Sequence, residues 1–176
     1  MVWKHLVQNL LTRVPPTQTA DADLTNTLQA RLKAAGQKRL GRDLRIIHIA
    51  AGSCNGCELE LRATQNMVYD LAQYGLGFTC SPRHADILLV TGVANLNMRE
   101  AVLQTRAAMP DPVCIIAVGD CAVDGGIFKG SSAIAHGVEA FLPVDLVISG
   151  CAPSPEQIID GLLAMIEAHG YNNKNA

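Results

Sequence analysis

Leu44-Arg45-Ile46-Ile47-His48-Ile49-Ala50-Ala51-Gly52-Ser53-Cys54-Asn55-Gly56-Cys57-Glu58-Leu59-Glu60 is the stretch on which the fold turns. Its first seven residues form an apolar, β-branched run of the length of a buried strand. Gly52 and Gly56 mark a turn, and Glu58 and Glu60 suit the first turn of a helix, where the dipole favours carboxylates. The pattern of strand, turn and helix then repeats. Short apolar runs at Ile87 to Thr91, Val113 to Val118 and Leu146 to Ser149 alternate with helical stretches at Glu58 to Tyr74, Asn97 to Ala108 and Pro155 to His169. Apolar strands separated by helices imply a parallel sheet covered on both faces, because parallel strands need crossovers. The expected fold is a small doubly wound, flavodoxin-like α/β domain over residues 44–170.

Before it, residues 1–43 read as an N-terminal helical extension and linker. Val2, Trp3, Leu6, Val7, Leu10, Leu11 and Val14 fall at helical spacing, Pro15-Pro16 ends that helix, and a second runs from Leu24 to Ala35. The amphipathic first helix fits packing on its own body or on a partner subunit, with a membrane surface as the alternative, and the basic stretch Arg31 to Arg45 reads as a solvated face, with a subunit contact as the second choice. Residues 171–176 read as a flexible tail.

Composition narrows the function. The 176 residues are 49% hydrophobic, 17% charged and 4% aromatic, with 14 Lys plus Arg against 16 Asp plus Glu, which suits one globular domain and gives no electrostatic reason to bind nucleic acid. No apolar run is long enough to span a bilayer. The start Met1-Val2-Trp3-Lys4-His5 lacks the features of a secretory signal, so a reducing cytoplasm is expected, where the six cysteines are not paired as disulfides.

Cys54-Asn55-Gly56-Cys57 follows the first strand and opens a helix; Cys121 follows Val113 to Val118; Cys151 follows Leu146 to Ser149. Three segments thus deliver four cysteines to the carboxyl ends of the strands, where open α/β sheets place ligands. Each segment carries glycine (Gly52 and Gly56; Gly119, Gly125 and Gly126; Gly150), which lets backbone approach a bulky inorganic group. Four thiolates suit an iron-sulfur cluster or zinc. Zinc sites usually gather two C-x-x-C knuckles, and only one is present, which favours a 4Fe-4S cluster; zinc, and a thioredoxin-like C-x-x-C, remain alternatives. Cys80 and Cys114 read as buried small hydrophobes, with Cys114 pointing into the core. Gly125 to Ser131 resembles a phosphate loop but has Lys129 before its second glycine rather than after it, and no G-x-G-x-x-G follows a strand.

Four motifs in register carry a family resemblance: Gly52 to Glu60; Ser81-Pro82-Arg83-His84-Ala85-Asp86 through Gly92; Gly119-Asp120-Cys121 with Gly125-Gly126-Ile127-Phe128; and Pro143-Val144-Asp145 with Gly150-Cys151-Ala152-Pro153-Ser154-Pro155. Over about residues 44–168 the chain resembles the small, electron-transferring subunit of membrane-bound group 4 nickel-iron hydrogenases, formate hydrogenlyase included. That family is itself similar to the 20 kDa subunit of respiratory complex I. The resemblance implies one 4Fe-4S cluster bound by Cys54, Cys57, Cys121 and Cys151, next to an active site in a large nickel-iron, or nickel-free homologous, subunit. It further implies a ferredoxin-like iron-sulfur subunit, integral membrane subunits, and a peripheral place on the cytoplasmic side of the cell membrane. The complex I relatives carry adjacent cysteines where this chain has C-x-x-C, which leans toward hydrogenase. Ala152, Ser154 and Val93 depart from the proline, arginine and proline of relatives.

Glu60, Arg83 and His84 are candidates for surroundings of the cluster: Glu60 as a proton relay or contact to the large subunit, and the two cations as an offset to cluster charge. Asp120 and Asp124 flank a ligand and lower its potential if turned toward it; each also suits a loop or helix cap.

Overall fold

The computed structural model describes residues 43–172. The proposed N-terminal extension and most of the proposed tail lie outside them. Five strands, β1 (Leu44–Ala50), β2 (Leu76–Phe78), β3 (Ile87–Thr91), β4 (Cys114–Val118) and β5 (Leu146–Ile148), form one sheet in the order β2-β1-β3-β4-β5. Every pairing is parallel, with Ile46 opposite Ile87, Ala50 opposite Thr91 and Thr91 opposite Val118. This is the doubly wound order with a switch point between β1 and β3. Among the described residues four helices complete the fold: α1 (Gly56–Ala63), α2 (Leu96–Ala108), α3 (Asp120–Asp124) and α4 (Pro155–Asn172).

Burial on both faces explains why the strands lack polar alternation. Ile87 and Leu89 of β3 pack with Ile46, Leu61 of α1, Ile116, and Ile158 and Leu162 of α4. Their neighbours Leu88 and Val90 pack on the other face with Ile47, Val102 of α2, Ile115, Ala122 of α3 and Leu142. At about 1.5 to 3 kcal/mol for each large apolar side chain buried, these two layers are the main source of stability.

Two aspartates tie strand starts to their neighbours. Asp86 accepts from Arg45 N–H at 2.8 Å and donates its own N–H to the Arg45 carbonyl at 2.8 Å. Asp145 makes the same reciprocal pair with Ile115, again at 2.8 Å each way.

The structure corrects several expectations. The helix predicted from Glu58 to Tyr74 stops at Ala63 and resumes only as a 3-10 turn over Leu71–Tyr74. Thr64 donates its hydroxyl to the Leu61 carbonyl at 2.7 Å, and Asn66 Oδ1 accepts from the N–H groups of Val68 and Tyr69 at 2.8 and 3.0 Å. Such local side-chain bonds compete with helix propagation. Met67 and Val68 are left 98% and 81% exposed on the resulting loop, which a continued amphipathic helix would not require. The sequence reading also missed β2 and α3, and α4 continues past His169 into the stretch read as tail.

Cys80, predicted to be buried, is exposed. It follows the three-residue edge strand β2, after which the chain leaves the sheet. Cys114 is half-buried and packs against the core beside Met165, its Sγ 2.8 Å from the Met165 sulfur.

Candidate functional site

Because all five strands are parallel, the segments following β1, β4 and β5 emerge at one edge of the sheet. Cys54 and Cys57 lie on the turn after β1 and in the first turn of α1, Cys121 lies in α3 directly after β4, and Cys151 follows β5. Cys57 is buried, Cys121 half-buried, and Cys54 and Cys151 exposed.

The loops touch where glycine leaves room. Gly119 has φ +88°, and a Cβ there would stand 2.6 Å from Cys57 Sγ; a Cβ on Gly126 would stand 3.0 Å from Cys121 Sγ. A side chain at either position would enter the space occupied by a thiol. A Cβ at Gly56 would meet Cys54 Sγ at 3.5 Å and Ala152 Cβ at 3.6 Å, so the Cys54 turn abuts the Cys151 loop.

Cys57 and Cys121 feel the charge of the neighbouring sulfurs. Burial, then Glu58, then Cys121, Cys54 and Cys151 push the Cys57 thiol up to about 11. Cys121 is raised by burial, by Cys151 and Cys54, and by the carboxylates of Asp120 and Asp124. Crowded thiols that resist ionisation alone are stabilised as thiolates by a bound cationic centre, so such a group displaces protons when it binds. Among the described residues no three His, Cys, Asp or Glu side chains converge on a point that could hold a single metal ion. Four sulfur donors on three segments, with glycine against three of the sulfurs, fit a thiolate-ligated inorganic group.

Behind Cys57 lies a polar chain that sequence reading did not find. The Thr91 hydroxyl, fully buried at the end of β3, donates to Glu58 Oε1. His48 Nε2 lies 2.9 Å from the same hydroxyl oxygen and 3.9 Å from Glu58 Oε1. With the hydroxyl proton committed to Glu58, Thr91 Oγ1 accepts from the His48 ring N–H. Glu58 Oε2 is buried with no partner at bonding geometry, although the Ser53 hydroxyl is near enough to help hold the carboxyl charged. Burial raises the Glu58 carboxyl, but Ser53, Thr91, its own backbone N–H and His48 outweigh it, so the group stays below the ordinary range. Burial holds His48 below its ordinary value against the pull of Glu58. A histidine inside the apolar run Leu44 to Ala50 was the available signal.

Other candidates fall elsewhere. Glu60 is half-buried on α1, and Glu58, not Glu60, takes the place against Thr91 and His48. Arg83 and His84 are exposed in the 3-10 turn Pro82–His84 that precedes β3, at the amino end of the strand. The structure does not bring them to the thiols, which gather at the carboxyl ends. Asp124 caps the turn at Gly126 N–H (3.0 Å) and pairs with Lys129 (2.7 Å). The departures from the family pattern have local uses: Val93 donates its N–H to the Gly52 carbonyl at 3.2 Å, a bond proline lacks. Ser154 and Gln157 form a reciprocal capping box at the start of α4, with bonds of 3.3 and 2.9 Å.

Residues 54–165 match the family model described as NADH ubiquinone oxidoreductase, 20 Kd subunit. Formate hydrogenlyase subunit 7 of Escherichia coli is 36% identical over 148 residues, 84% of this chain, which spans only 56% of that relative's length. A probable membrane-bound hydrogenase subunit of Pyrococcus furiosus is 38% identical over 130 residues, 74% of this chain and 78% of the relative. An NADH-quinone oxidoreductase subunit of Clostridium beijerinckii is 41% identical over 112 residues, 63% of this chain and 66% of the relative. Among solved structures, a chain of the archaeal membrane-bound sulfane sulfur reductase, a respiratory membrane complex, superposes with a TM-score of 0.64 at 30% identity, covering 80% of this chain and 76% of the other. A chain of the NAD+-reducing [NiFe]-hydrogenase, at 22% identity and a TM-score of 0.55, shares the fold over 72% of this chain and 93% of its own length. The chain thus belongs to the family of the NADH ubiquinone oxidoreductase 20 Kd subunit, a family of oxidoreductase-complex subunits.

Proposed function

We propose that this chain is the electron-transfer subunit of a membrane-bound nickel-iron hydrogenase complex, holding one 4Fe-4S cluster on Cys54, Cys57, Cys121 and Cys151. The observation that carries the reading is the meeting of four thiols from three segments at one sheet edge, where the ionisation of the two inner ones, Cys57 and Cys121, is opposed by burial and by their sulfur neighbours. A 4Fe-4S cluster bound there supplies a site that accepts and passes on one electron at a time. Cys57 and Cys121 anchor the inner side. Cys54 and Cys151 lie at the surface, within reach of a partner that delivers or removes the electron. The chain has too few further cysteines, Cys80 and Cys114, to build a four-thiolate nickel site of its own. The metal active site therefore belongs to a large subunit, with a ferredoxin-like iron-sulfur subunit and integral membrane subunits completing the complex on the cytoplasmic side of the membrane. Among the described residues no helix is long and apolar enough to cross a membrane, which accords with peripheral attachment.

A second reading, the equivalent subunit of a complex I-like quinone oxidoreductase or a nickel-free relative, is favoured by the 41% identity to the clostridial NADH-quinone oxidoreductase subunit. The C-x-x-C spacing of Cys54 and Cys57 supports the hydrogenase. A large-subunit partner with two C-x-x-C pairs decides for it, and one without them decides for the second reading.

The test is anaerobic purification with iron, acid-labile sulfide and zinc analysis, followed by serine at each cysteine in turn. Cluster absorbance and EPR signal are expected to vanish for Cys54, Cys57, Cys121 and Cys151, and to persist for Cys80 and Cys114. A colourless protein with one zinc and no sulfide overturns the reading, as does loss of the cluster in Cys80→Ser with retention in Cys121→Ser.

A further inference from the structure

Two residues of chain hold Cys54 and Cys57 together. Cys121, at the start of α3, and Cys151, on the loop after β5, share no such short link. Their loops are joined one residue before each thiol: Gly150 N–H donates to Asp120 Oδ1 at 2.8 Å, and Asp120 N–H donates to the Gly150 carbonyl at 3.0 Å. Behind this pair Gly119 N–H donates to the Ile148 carbonyl at 2.8 Å, continuing the β4–β5 ladder beyond the strands. The backbone bonds would form with any residue at position 120, whereas the bond to Gly150 N–H needs a side-chain acceptor. The Asp120 charge also reaches Cys121 Sγ, where it opposes added negative charge.

We propose that Asp120 is a positioning residue that clasps the Cys121 and Cys151 loops, and that its carboxylate lowers the reduction potential of the group they bind. The inference rests on the cluster reading above. A fixed anion beside the ligands makes an added electron less favourable, and a ligand loop held by a hydrogen bond keeps its thiolate oriented.

Asp145 supplies an internal control, since its clasp on Ile115 has the same chemistry at the opposite edge of the sheet. The experiment compares the full chain with Asp120→Asn, Asp120→Ala and Asp145→Ala in the assembled complex. It measures iron and sulfide content, the rate of iron loss to a chelator, and the midpoint potential by EPR-monitored redox titration. Asp120→Asn retains a carbonyl acceptor without charge and should keep wild-type iron content with a potential shifted upward. Asp120→Ala should lose iron about 10- to 100-fold faster. Asp145→Ala should move neither readout although it loosens the fold. An Asp120→Asn potential equal to wild type overturns the electrostatic part, and wild-type iron retention in Asp120→Ala overturns the clasp. Should Asp120→Ala fail to accumulate, Asp120→Gly versus Asp120→Asn retention decides the clasp in the same way. Unaltered protein without iron and sulfide refutes instead the cluster reading, so the two failures are distinct.

Discussion

Thr91 has no exposed surface, and its hydroxyl lies between His48 and Glu58, the residue that follows the buried Cys57. Thr91→Val keeps the shape and removes the bonding, leaving a buried carboxylate oxygen and a ring N–H unpaired. The expected loss is about 1 to 3 kcal/mol, read as a lower urea midpoint, with Thr91→Ser restoring most of it. Cys57 carries a pH signature. Its folded-state value of about 11 stands above the ordinary 9.0, so in that interval the folded chain keeps a proton that the unfolded chain has released. Stability from this group is therefore full below about pH 9 and is lost as pH rises toward 11. Melting temperatures of cluster-free protein should fall across that window and fall less in Cys57→Ala. Protein loaded with the proposed cluster, whose ligands would already be thiolates, is expected not to show this decline.

The elements divide by how much of their cause is local. β3 was legible because five consecutive buried residues, Ile87–Thr91, face two cores at once, whereas the cap that starts α2, Asn95 accepting from Asn97 N–H at 3.0 Å, lies outside the helical pattern that predicted the helix. β2 was not legible: three residues with Gly77 in the middle become a strand only by pairing with β1. The early end of α1 turned on Thr64 and Asn66 bonding to nearby backbone, which helical periodicity does not register. Cys80 was misread because its exposure follows from that unseen edge strand. At this scale Ser154→Ala removes half of the α4 capping box and should cost about 1 kcal/mol of unfolding free energy in chemical denaturation. Gly119→Ala strikes elsewhere, since its Cβ meets Cys57 Sγ at a positive φ. It should fold less stably and hold less iron per chain than the wild type, measured by metal analysis.

For the whole molecule, four cysteines at strand ends were enough to place the thiols together, because parallel strands send all their carboxyl ends one way. The His48, Thr91 and Glu58 chain was hidden, since it depends on a register that sets Ala50 opposite Thr91 and on Glu58, at the start of α1, reaching residues of both strands. Hydrogen exchange should separate the two layers of organisation. In cluster-free protein the amides around Ala51 to Cys57, Gly119 to Gly126 and Ser149 to Ser154 should lose protection, while those of β3 keep it. β3 bears none of the four thiols, yet it lies between β1 and β4, whose loops do. On the proposed reading, a group gripped from both sides of that strand would act as a rivet through the rim of the sheet, adding a closure to those the chain's own hydrogen bonds make there. Oxidative loss of such a group would then be a mechanical event, expected to slacken one rim while the opposite rim, pinned by Asp86 and Asp145, stays shut.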